Sequence, residues 1–135
     1  MRRLLAWLYY WLPPLLLMAF IFYLSAQPDL PHAPGEALDA FVKKLAHAGV
    51  FALLFMLFSR AWRRHLPLSR SLDVSWLLTA AYAVSDELHQ SFVPGRHARL
   101  YDVAIDVGGA LLLWAFLRSR LRLGFLCGRD HDLSE

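Results

Sequence analysis

Nine polar side chains in this chain have the types and spacing to handle a charged ligand. Lys44 and Arg96 suit an anion, and the planar fork of an arginine matches a phosphate in particular. Asp86, Glu87, Asp102, Asp106 and Gln90 could orient those cations and bind hydroxyl or amine groups. His47 or His89, set beside Asp86, has the chemistry of a general base. The same acids and histidines could in principle hold a metal, but no HExxH spacing is present and Lys44 and Arg96 would compete with a cation. No metal and no other cofactor is expected. Ser85 and Ser91 flank the acidic run, and neither sits in a nucleophile elbow.

Helical spacing groups these residues. Lys44 and His47 are three apart and share a helix face. Asp86 and Gln90 are four apart, with His89 beside them and Tyr82 one turn before. Asp102, Asp106 and Gly109 fall on one face of a later helix, where the glycine admits a close neighbour. Asp86 and Glu87 lie near a helix end and Lys43 and Lys44 near a helix start, so each opposes the helix dipole. That conflict predicts a Lys44–Asp86 or Arg96–carboxylate pair. Blander roles compete: the charges only neutralise one another and glue helices together, Asp102 caps a helix, His89 fills an interface, and Lys43 snorkels to a surface.

The elements that must carry these groups are apolar. Of 135 residues, 58% are hydrophobic and 14% aromatic, more than one small soluble core can bury. Four long apolar stretches cover residues 4–24, 41–62, 74–93 and 101–117, with a short mixed-charge tail over 124–135. The first gives about 31 Å of helix, enough to cross a bilayer core of about 30 Å, and Pro13-Pro14 predicts a kink in it. It is too long for a signal-peptide core and lacks a good cleavage site. The single cysteine, Cys127, excludes an intrachain disulfide. Ten Lys and Arg residues fall before the first stretch, between the second and third, and after the fourth. Only Lys43, Lys44, Arg96 and Arg99 fall on the other side, so both termini are expected in the cytoplasm. The net charge of +3 is thus a topology signal, and no nucleic-acid partner is expected. In this arrangement His47, Asp86 and Asp106 lie about 9, 10 and 8 Å below the outer surface, on three different helices.

The run from Ser85 to Arg96, which reads SDELHQSFVPGR, followed by Asp102, Asp106 and Gly109, resembles the VanZ-like family of small bacterial membrane proteins. Lys44 and His47 upstream, and Leu24-Ser25-Ala26-Gln27-Pro28 after the first stretch, are similar to that family as well. The resemblance covers roughly residues 20–112. The family commonly has Asn where this chain has Asp106, which adds a negative charge here. The resemblance implies work at the cell envelope, and the family's namesake is associated with teicoplanin resistance.

The sequence therefore predicts one all-α domain, a four-helix transmembrane bundle in a bacterial inner membrane, with a polar pocket open to the outside. Its expected ligand is an anionic lipid or a lipid-linked envelope precursor. The rival is a membrane enzyme that modifies a lipid headgroup by His and carboxylate chemistry. A transporter is disfavoured, since four short spans leave little room for alternating access unless the chain forms a homo-oligomer. The Pro-rich segment 27–39 is a candidate lid over the pocket.

Overall fold

Long apolar runs with few breakers satisfy their backbone polar groups most simply as helices. The computed structural model describes residues 1–27, 34–94 and 100–131, and among them it has four helices and no strand. They are α1 (Arg2–Ser25), α2 (Glu36–Trp62), α3 (Leu68–Gln90) and α4 (Leu100–His131). The all-α class expected from sequence is the class observed. Residues 28–33 of the candidate lid lie outside the described residues, and its last residues, 36–39, belong to α2.

The helix boundaries follow local chemistry. α1 keeps its helical assignment through Pro13 and Pro14, which leaves the Tyr9 and Tyr10 carbonyls without a donor four residues on. Gly35 precedes α2 with φ +87°, a conformation that favours glycine. Past Trp62 the chain turns sharply, with the Arg63 N–H on the Ser59 carbonyl at 3.0 Å and the Leu66 N–H on the Trp62 carbonyl at 2.9 Å. Pro67 then opens α3.

Four boundaries differ from expectation by three residues or more, the first being the start of α2 at Glu36 instead of residue 41. α3 begins at Leu68, earlier than residue 74, because polar residues such as Ser69 and Arg70 extend the helix beyond its apolar run. It ends at Gln90 instead of 93, where tighter bonds from Phe92 to His89 and from Val93 to Gln90 replace the helical pattern. α4 passes residue 117 and continues to His131, through much of the tail expected to fray. Its Arg- and Leu-rich continuation is made of good helix formers, and charge ends an apolar run without ending a helix.

α2, α3 and α4 pack mutually, and α1 lies mainly on α2 and less on α3. Phe51, Leu54 and Phe58 meet Ile21 and Ala83 in one buried cluster, and Phe55 meets Leu72 and Ala110 in another. The inner face of α3 is small: Ser71, Ser75, Thr79 and Ala83 recur every four residues and are all buried. Small faces let helix backbones approach, which drives association where no hydrophobic effect operates. The closest approach joins α2 to α4, where a Cβ on Gly109 would fall on the Ala48 carbonyl, 3.0 Å from its carbon.

The outward faces are apolar on all four helices, with Leu16, Leu53, Leu77 and Leu112 exposed. Patches of this extent are rare on soluble monomers. Among the described residues, α1 and α2 are long and apolar enough to cross a membrane. The antiparallel arrangement gives the bundle two ends. One gathers Ser25, His47, Asp86 and Asp106; the other gathers Trp11, Trp62 and the arginines of α2 and α4.

Candidate functional site

At the first end, two carboxylates are almost fully buried. Asp86 and Asp106 are each 2% exposed. Asp86 comes from the last two turns of α3, and Gln90, one turn on, donates its side-chain N–H to Asp86 Oδ2 at 2.9 Å. Ser25, the last residue of α1, donates its hydroxyl to the same oxygen at 2.9 Å. The Gln90 amide also lies 3.4 Å from Ser25 Oγ, closing a triangle. Asp86 Oδ1 has no hydrogen-bond partner among the described residues. A buried acceptor left open costs about 1–3 kcal/mol, so this oxygen is a standing demand for a donor.

Asp106, on the second turn of α4, meets His47 of α2, with Nδ1 and Oδ1 3.3 Å apart. The His47 side chain is 35% exposed, so the pair has a buried acid and an accessible imidazole. Gly109, one turn below Asp106, fixes the α2–α4 spacing that makes this contact. Ser25 and His47 both line a cavity of about 70 Å³ between α1 and α2, walled by Ile21, Val50 and Phe51. That space admits a hydroxyl, an amine or a water, given that a water occupies about 30 Å³. Tyr82 ties α3 to α1, donating its hydroxyl to the Met18 carbonyl at 2.6 Å.

The other expected residues lie around this cluster in varied roles. Lys44 is exposed and sits 4.4 Å over the Tyr101 ring, so the expected Lys44–Asp86 pair does not form; neutral donors serve Asp86 instead. His89 stacks on Phe22 with centroids 4.0 Å apart, and its buried Nε2 has no partner among the described residues. The base-and-acid pairing that does form is His47 with Asp106, in place of either histidine with Asp86. Glu87 is buried, and Asp102 occupies the first turn of α4. Arg96 lies outside the described residues. Among the described residues no three His, Cys, Asp or Glu side chains gather as a metal cage.

Sequence reasoning missed Ser25 as a member of the cluster. Its signal lay in the Leu24-Ser25-Ala26-Gln27-Pro28 string, used only for resemblance. It also missed that the larger cavity, of about 770 Å³, opens at the opposite, arginine-rich end.

The family model described as VanZ/LLP1 matches residues 8–122, and the chain belongs to that family. No curated protein and no solved structure matches it.

Proposed function

We propose that this VanZ/LLP1-family chain is a multi-pass bacterial inner-membrane protein, with both termini cytoplasmic, that binds an anionic lipid or lipid-linked envelope precursor at its buried polar cluster. The apolar outward faces of all four helices and the segregation of Lys and Arg support the placement. The observation that carries the binding role is Asp86: a buried carboxylate with one oxygen held by Ser25 and Gln90 and the other without a partner among the described residues. Ionisable groups inside a membrane segment are costly and mark functional sites by default. In this reading Asp86 Oδ1 accepts from a hydroxyl or amine of the ligand, and His47 contacts it from α2. Lys44, exposed at the rim, meets the anionic group.

Native mass spectrometry of the gently extracted full chain tests this reading. A lipid of defined mass should co-purify and fall several-fold in Asp86→Asn and His47→Ala. A bare wild-type chain, or adducts untouched by both changes, refutes it. In cells, a periplasmic reporter fused within residues 32–35 should be active and one within 66–68 silent; the reverse pattern overturns the topology. Family membership adds one phenotype to score, a raised tolerance to teicoplanin on expression.

The His47–Asp106 contact favours a second reading, a lipid-headgroup enzyme. A buried acid orienting an accessible imidazole is the geometry of a general base. Turnover separates the two: a binder returns its lipid unchanged, and an enzyme converts it.

A further inference from the structure

The opposite end of the bundle holds the larger cavity, and its chemistry is of the other sign. About 770 Å³ opens where α2 turns into α3, within the range of small-molecule sites. Arg60, Arg63 and Arg64 from the end of α2 and the turn, and Arg120 from α4, line it. Among the described residues, none of the four has a carboxylate at ion-pair distance. Asp73, which faces the same end, is taken by Arg118 at 3.2 Å and by the Trp114 N–H at 3.0 Å.

The cations are held by rings instead. Arg60 lies 4.4 Å over Tyr9 and 4.9 Å over Tyr10, and Arg64 lies 4.9 Å over Tyr10. Stacking fixes the plane of a guanidinium and leaves its N–H edge free to donate. A second cavity of about 250 Å³ shares Tyr10 and Arg64 and adds Arg3, so the basic surface continues across α1.

Topology and the α2 dipole account for arginines at this end. They do not account for the cavity or for Ser59. That residue is 7% exposed, lines the cavity, and its Oγ has no hydrogen-bond partner among the described residues. Elsewhere Ser71, Thr79, Ser85 and Ser91 turn their hydroxyls back onto a carbonyl three or four residues earlier. Ser59 therefore holds a buried donor at the wall of a space rimmed by four guanidiniums.

We propose that this cavity is a binding site for the net-anionic phosphate headgroup of a membrane amphiphile. The arginine edges and the Ser59 hydroxyl donate to the phosphate oxygens. A free phosphate would fill only a small part of the space, and the remaining wall is apolar, formed by Met56, Leu72 and Leu117. That wall suits the upper part of an acyl chain. The site uses no residue of the Asp86 cluster, so it stands or falls separately from the reading above.

The test is a native mass spectrometry titration of the full chain in a mild detergent, where membrane topology plays no part. Phosphatidic acid, phosphatidylcholine and inorganic phosphate are the probes. The expected result is saturable phosphatidic acid binding, weakened about tenfold or more in Arg60→Gln/Arg64→Gln and several-fold in Ser59→Ala. Arg118→Gln removes a charge at the same end without touching the cavity and should leave binding unchanged. Circular dichroism checks folding; if the double variant unfolds, Ser59→Ala decides. Equal retention of phosphatidylcholine would overturn the proposal, as would phosphate binding as tight as the lipid, which assigns the site to a free anion. So would undiminished binding in the Ser59 and arginine variants.

Discussion

Asp86 and Asp106 at one end of the bundle are buried and met by named partners: Ser25, Gln90 and His47. Arg60, Arg63, Arg64 and Arg120 at the other end are partly or fully exposed and lean on aromatic faces or on nothing charged. Ser59 and His47 are twelve positions apart on α2, about 18 Å of helix, so the two regions are separate. A buried charge must find its partners within the fold, which makes the acidic end a determinant of structure as well as a site. An exposed guanidinium is satisfied by water and owes the fold little. Its hydrogen-bonding edge stays available to something else. Substitutions should therefore register as stability together with ligand retention at the acidic end, and as ligand retention alone at the basic end.

The sharpest way to break that contrast lies just beneath the acids. Gly109→Val drives a side chain into the Ala48 carbonyl, and backbone cannot step aside as a side chain can. A loss of about 3 kcal/mol or more is expected, read as a lowered thermal midpoint in detergent. Gly108→Ala, whose Cβ meets nothing within 4 Å, should be tolerated. Next in size is Asp86→Ala, which removes the acceptor shared by Ser25 and Gln90 and should destabilise by about 1–3 kcal/mol. Asp86→Asn keeps the shape and should lose less. If both variants melt like the wild type, the acidic end is not structural.

Asp73→Ala probes an intermediate case, a half-exposed acid that joins α3 to α4 through Trp114 and Arg118. About 1 kcal/mol is expected by the same melting assay. The smallest effect is reserved for Arg60→Gln, within about 0.5 kcal/mol of wild type. A large loss there would show that the stacked arginines hold α1 in place, and would erase the contrast between the two ends.

Much of the acidic end could be read from spacing. Asp86 and Gln90 share a face by the helical repeat, and the glycine one turn from Asp106 announced a close neighbour. Helical period fixes which side chains stand together on one helix. It does not fix which face each helix turns toward another, and that rotation decided the rest. Ser25 reaches Asp86 across 61 residues, His89 turns to Phe22, and Lys44 turns to Tyr101. At the basic end the arginines read as topology signals, because a cavity is a property of packed surfaces and leaves no repeat in the sequence. The small face of α3 was legible as a four-residue rhythm of Ser71, Ser75 and Thr79, but the eye is drawn to apolar residues when looking for a core.

The bond between Ser25 and Asp86 also imposes a schedule on biosynthesis. α1 leaves the ribosome first, yet its polar partner is encoded 61 residues later. At about 5–20 residues per second, that interval is on the order of 3–12 seconds. Through it α1 must hold its place without that partner, its terminal hydroxyl undocked. Asp86 arrives as a polar side chain bound for a buried position, and Ser25 is a donor already in place to receive it. The first helix thus serves the nascent chain as a waiting half-socket, and a chain whose α1 drifts away before α3 emerges would bury an acid that Gln90 alone meets.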